Sequence, residues 1–140
     1  MLAPESYAEG RWIAPGPTAR PILGPVDGRE IARAGGAALD FQAMIDWAVG
    51  TGGPALRAMT FHERAKMLKA LATYLNDRKE ELYAINPLTG ATRRDGGVDI
   101  DGGIGTMFVF ASKGRREMPD GHVYLDGAVE QLSKGGSFLG

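Results

Sequence analysis

Pro87 divides two stretches that make opposite demands on the backbone, and this break constrains the fold more than any other feature. Before it, Thr60-Phe61-His62-Glu63 is a capping box. The Thr60 hydroxyl can accept an amide hydrogen from the third helical residue, and Glu63 can reach back to the Thr60 N–H. Met67, Leu68, Leu71, Leu75, Leu82 and Ile85 follow at spacings of three, four and seven. That spacing predicts one long amphipathic helix with a single core-facing stripe. Lys66, Lys69, Asn76, Lys79 and Glu80 fill much of the remaining surface. Pro87 should end the helix, because its ring clashes with an earlier carbonyl and it has no N–H. Beyond it, Gly90 to Gly105 holds glycines at 90, 96, 97, 102, 103 and 105. Propensity predicts a loop there, then a short helix, although Val98, Ile100, Ile104, Met107, Phe108 and Ala111 keep partly helical spacing.

The flanks are plainer. Tyr7, Trp12 and Ile13 around Gly10-Arg11 suggest a short strand. Ile22-Leu23 and Glu30-Ile31 read as extended pieces joined by a Pro25-Val26-Asp27-Gly28 turn, in which glycine supplies a positive φ. Asp40 can cap a helix over Phe41 to Val49, its apolar face made by Phe41, Met44, Ile45 and Ala48. Gly50-Thr51-Gly52-Gly53-Pro54 should end it. After Pro119 the chain reads as short strands and turns. At 140 residues with a net charge of −1, it is about one domain's worth, with no global field toward nucleic acid. The N-terminus lacks a basic segment followed by an apolar run, and no apolar run approaches the ~20 residues of a membrane span. A soluble cytoplasmic chain is expected.

No cysteine is present, which excludes disulfides, thiolate metal ligands and cysteine nucleophiles. Gly102-Gly103-Ile104-Gly105 only faintly resembles a phosphate-cradling loop, because no apolar strand precedes it. Small residues allowing close helix packing are the better reading. Asp95, Asp99 and Asp101 lack the alternation and closing Glu of a calcium loop and read as solvated or capping carboxylates. Arg93-Arg94 and Arg115-Arg116 could hold a phosphate-bearing ligand such as coenzyme A, but also suit a solvated surface or a helix end. His62 and His122 are the only histidines and have no spacing for a metal site. Ser133-Lys134 and Ser137 lack the setting of a Ser-Lys nucleophile and read as a turn. Trp12 and Trp47 read as core or interface anchors.

Gly10-Arg11-Trp12-Ile13 and Pro25-Val26-Asp27-Gly28-Arg29-Glu30-Ile31 resemble the opening strands of aldehyde dehydrogenases. Arg64, Leu68, Leu71, Leu75, Arg78, Leu82 and Thr89-Gly90 resemble the helix that follows them. The sharper likeness lies in Pro54 to Phe61 with Glu63-Arg64-Ala65, in Thr89 to Arg93, and in Val98 to Thr106; Leu132-Ser133-Lys134 continues it. These resemble the dehydrogenase part of bifunctional ring-opening enzymes of phenylacetate breakdown, and next the dehydrogenases of aerobic benzoyl-CoA breakdown. The resemblance covers about residues 7 to 138. It implies a full enzyme that oxidises a coenzyme A-linked semialdehyde to the acid with NADP or NAD. In such enzymes a cysteine thiolate adds to the aldehyde and the adduct passes hydride to the nicotinamide. A Glu-activated water then hydrolyses the thioester, with amides and an Asn holding the oxyanion.

This chain departs from that pattern, because the nucleophilic cysteine is absent and the cofactor strands, Asn and Glu would lie beyond Gly140. The expectation is therefore an N-terminal portion: an α+β fragment with a β pair (1–38), two to three helices (39–118) and the start of a strand and oligomerisation segment (119–140). The resemblance also favours a helix through much of Asp95 to Arg116. No catalytic, cofactor-binding or metal-binding residue is assigned, and the fragment alone is expected to be inactive. Its expected partners are the remainder of the dehydrogenase domain and sister subunits, with no nucleic acid or membrane. The alternative is a free-standing, non-catalytic helical interaction module derived from that N-terminus.

Overall fold

The computed structural model describes residues 2–127, 130–133 and 136–138, the last two stretches by backbone only. The architecture is α+β, as expected, but the N-terminal β part is two hairpins. β1 (Ser6–Ala8) pairs with β2 (Arg11–Ile13), setting Tyr7 opposite Trp12. β3 (Arg20–Leu23) pairs with β4 (Glu30–Ala34). The second hairpin turns where the Pro25–Gly28 chemistry predicts. Gly28 takes φ 70°, its N–H reaches the Gly24 carbonyl at 2.8 Å, and Asp27 accepts from the Arg29 N–H at 3.0 Å. The open edge of β4 carries Leu2, whose N–H reaches the Ile31 carbonyl at 3.0 Å.

Asp40 caps α1 (Phe41–Trp47), accepting from the Ala43 N–H at 2.9 Å. The Gly50–Pro54 stretch does not end the helical path as expected. Ala48–Gly52 forms a π turn that leads directly into α2 (Gly53–Ala58). Pro54 is tolerated because it sits in the first turn of α2, where its missing N–H removes little. Both halves of the Thr60–Glu63 capping box form at the start of α3 (Phe61–Asp77). The predicted long helix is broken, however. Arg78 leaves helical geometry at φ −114° and ψ 12°, and α4 (Lys79–Ile85) starts anew. A 3₁₀ turn, Asn86–Thr89, follows with Pro87 in its first turn, and Gly90 closes it at φ 81°.

α5 (Arg93–Arg116) runs unbroken through six glycines. Propensity alone misreads it. Thr92 and Asp95 form a second capping box at its start, and Lys113, Arg115 and Arg116 occupy its last turn, where cations complement the helix dipole. What holds its middle is antiparallel packing on α3. Ala72 is wholly buried, and Ala65, Ile104 and Ala111 are nearly so. Leu68 and Leu75 on α3, with Ile100 and Met107 on α5, are half-buried beside them. A Cβ built on Gly114 would lie 3.0 Å from the Ala65 Cβ, so the two helices nearly touch there. The buried stripe of α3 is thus Ala65, Leu68, Ala72 and Leu75. Met67 and Leu71, assigned to the core by their hydrophobicity, are each 48% exposed. Beyond α5, β5 (Glu130–Ser133) and β6 (Gly136–Phe138) form a third hairpin. No large side chain among the described residues is fully buried.

Two substitutions test this packing in thermal melts. Ala72→Leu overfills the seam and should cost about 1–3 kcal/mol. Gly102→Ala meets open space and should stabilise by about 0.5–1 kcal/mol through helix propensity alone. A gain from the first would contradict the α3–α5 seam, and a loss from the second would contradict the exposed placement of Gly102.

Candidate functional site

One face of α3 and the C-terminal half of α5 enclose an open groove of about 930 Å³. Its floor is apolar, made by Ala65, Ala70, Phe108 and Ala111. Its rim carries Lys66 and Lys69 from α3, Arg78 from the residue that follows it, and Arg115 and Arg116 from α5, against the single carboxylate of Asp77. Among the described residues, Lys66, Lys69, Arg115 and Arg116 make no ion pair. Arg78 is held in place: its guanidinium lies 3.8 Å from the Tyr74 ring centre and donates to the Tyr74 carbonyl at 3.4 Å. Such a trough, with an apolar floor and cationic rim, suits an extended ligand that carries both apolar and anionic parts.

The groove follows directly from the helix pairing. Lys66, Lys69, Thr73, Asp77 and their neighbours recur every three to four residues, so they share one face of α3. That face flanks the Ala65–Ala72 seam, and α5 supplies the opposite wall. In sequence these lysines read as the solvated side of an amphipathic helix. The missed signal is that the flanking stripe sets alanine at its most buried positions, Ala65 and Ala72, which brings α5 close enough to form a second wall.

The other candidates are distributed differently. Arg93-Arg94 lies in the first turn of α5, roughly 33 Å along the axis from Arg115-Arg116, so the two arginine pairs share no site. Arg93 stands 5.0 Å over the Tyr83 ring. Asp95 is committed to the Thr92 cap, with Thr92 Oγ1 at 2.6 Å, and Asp99 is exposed. Asp101 accepts from Tyr83 Oη at 2.6 Å and Lys79 Nζ at 3.2 Å, joining α4 to α5. No group of three potential metal ligands occurs among the described residues. Gly102-Gly103-Ile104-Gly105 lies in mid-helix, where the amides are committed to the preceding turn, so it cannot cradle a phosphate. The close-packing reading of these glycines is also corrected. Gly102, Gly103 and Gly105 have nothing within 4 Å of a built Cβ, and the tight approaches fall instead at Gly96, against Asn86, and at Gly114.

The histidines tie the segment after α5 to the start of α3, through His62, and to the end of α2, through His122. His62 Nε2 lies 2.9 Å from the Met118 carbonyl, with its Nδ1 3.6 Å from Asp120. His122 Nδ1 lies 3.1 Å from the Arg57 carbonyl. Trp47 packs against Gly10, where a Cβ would come within 3.2 Å of its ring. Trp12 is 67% exposed beside Tyr7, so it is not a core residue. Lys134 lies outside the described residues, and Ser133 and Ser137 are described by backbone only. No helix among the described residues is long and apolar enough to cross a membrane.

Comparison with known proteins supplies the wider setting. The profile of the aldehyde dehydrogenase family matches residues 12–132. A 3,4-dehydroadipyl-CoA semialdehyde dehydrogenase of Aromatoleum evansii is 32% identical over 136 residues, covering 96% of this chain and 26% of that protein. The chain therefore spans about a quarter of the length of that curated relative.

The α4–α5 link has a pH signature at each end of the scale. Hydrogen bonds from Tyr83 and then Lys79 lower the Asp101 pKa, so the link's contribution should be lost as pH falls below about 4. The hydrogen bond to Asp101 raises the Tyr83 pKa, so the same contribution should be lost above about pH 10. In stability–pH profiles, Asp101→Asn should flatten the acid limb and Tyr83→Phe the alkaline one; unchanged limbs would refute the link.

Proposed function

Because this chain belongs to the aldehyde dehydrogenase family, we propose that it serves as the N-terminal, substrate-gripping portion of an NAD(P)-dependent dehydrogenase of coenzyme A-linked semialdehydes. The observation that carries this reading is the α3–α5 groove, whose Lys66, Lys69, Arg115 and Arg116 make no ion pair among the described residues. Coenzyme A has the complementary character: phosphates at its nucleotide end and a long, less polar pantetheine arm. The cationic rim takes the phosphates by charge-assisted hydrogen bonds, and the Ala65–Phe108–Ala111 floor takes apolar atoms. The substrate named in the relative's description agrees with this chemistry. Within that class, we propose a semialdehyde from aromatic-compound breakdown, of the phenylacetate or benzoyl-CoA type, as the substrate of the whole enzyme.

The nicotinamide cofactor belongs to a different part of such an enzyme. The described residues do not fit it: they include no parallel strand leading into a glycine turn and helix start, and the one glycine cluster lies inside α5. The chain also has no cysteine to form the thiohemiacetal. Its own residues therefore bind and orient the carrier of the aldehyde, while hydride transfer is assigned to the remainder of the dehydrogenase. The large apolar side chains left on the surface, such as Phe41, Val98, Val109 and Phe110, support packing against that remainder and sister subunits.

Calorimetric titration of the 140-residue chain with coenzyme A tests the reading. Binding should weaken with added salt, and Lys69→Ala and Arg115→Ala should each cost about tenfold in Kd. No binding, or binding indifferent to both substitutions, would overturn it. Turnover of an aldehyde with NAD or NADP by the chain alone would overturn the assignment of chemistry elsewhere.

A further inference from the structure

We infer that the Tyr74–Arg78 stack on the groove rim is the platform for the adenine base of coenzyme A, an inference that rests on the groove reading above. Tyr74 is unusual among the groove residues: a large aromatic ring that lines the groove and stays 54% exposed. Arg78 fixes it from one side, 3.8 Å from the ring centre, and is itself tied back to the Tyr74 carbonyl. This cation is therefore committed to orienting an aromatic surface, while the other rim cations make no ion pair among the described residues. Stacked tyrosine and arginine are the side chains on which nucleic-acid bases are received, because every base has a π face.

The spacing supports the same division of labour. Lys69 and Lys66 lie five and eight residues before Tyr74, about 7.5 Å and 12 Å along the α3 axis. A base on Tyr74 thus directs its phosphates toward the two lysines and, across the groove, toward Arg115 and Arg116. Asp77 also finds a role. As the one carboxylate lining a cationic groove it would repel a phosphate, yet it sits one turn from Tyr74 at the base end. There it can accept hydrogen bonds from the exocyclic amine of adenine, a donor that phosphates lack.

The test compares adenosine 3′,5′-bisphosphate with inorganic diphosphate as ligands of the 140-residue chain, its Tyr74→Phe and Tyr74→Ala variants, and Lys69→Ala. The nucleotide should bind about tenfold more tightly than diphosphate in the parent and in Tyr74→Phe. That advantage should vanish in Tyr74→Ala while diphosphate affinity holds, and the Tyr74 ring protons should shift upfield with the nucleotide alone. If both probes bind equally and Lys69→Ala still weakens them, the base platform is refuted and the groove reading stands. If neither probe binds, the groove reading itself fails and takes the platform with it. A clear preference for NADP over coenzyme A would also overturn the inference, by assigning the stack to a dinucleotide.

Discussion

The close approach of α3 and α5 at Ala65, Ala72, Ala111 and Gly114 is the contact on which the rest of the structure depends. Small side chains let the two backbones come near, and close backbones let dispersion contacts accumulate along the whole seam. Without it, α5 has little reason to be a helix. Six glycines in 24 residues cost roughly 5–6 kcal/mol of helix propensity relative to alanine. The second capping box at Thr92–Asp95 and the terminal cations help only at the ends. The middle is held by the partner helix.

The groove is a by-product of that contact. Two helices packed through alanine and glycine leave longer side chains standing along both flanks of the seam. On one flank these are Lys66, Lys69, Tyr74, Arg78, Arg115 and Arg116 around an apolar floor. Charge and shape therefore have a common cause in the spacing of small residues. With its apolar floor and cationic rim, this surface suits a large, phosphate-bearing carrier. This fits membership of the aldehyde dehydrogenase family and the coenzyme A-linked substrate proposed for the whole enzyme.

Legibility in the sequence followed how local each cause was. The Asp40 cap, the Thr60–Glu63 box, the Pro25–Gly28 turn and the stop at Pro87 each depend on residues within a few positions, and all were readable. The passage through Gly50–Pro54 was not, because a π turn and the first turn of α2 absorbed what propensity forbids, and the break at Arg78 was not, because no helix-breaking residue marks it. The core stripe was misplaced for a different reason. Met67 and Leu71 outrank Ala65 and Ala72 in hydrophobicity, but a close helix contact selects for small size first. Within α5, Gly97, Ile100, Ile104, Met107, Ala111 and Gly114 recur every three or four residues, a pattern hidden because half of it is small. The groove could not be seen at all until the two helices were set side by side, since its walls lie about forty residues apart in the chain.

Amide exchange along α5 in the parent chain and in Ala72→Glu tests the central claim most directly. Ala72 has no exposed surface, so a buried carboxylate there separates the helices without touching α5 itself. The account predicts strong protection from Gly96 to Ala111 in the parent and its collapse in the variant, with the N-terminal turns of α3 still helical by chemical shift. Protection of α5 that survives the substitution would contradict the account, because the glycine-rich helix would then stand without its partner.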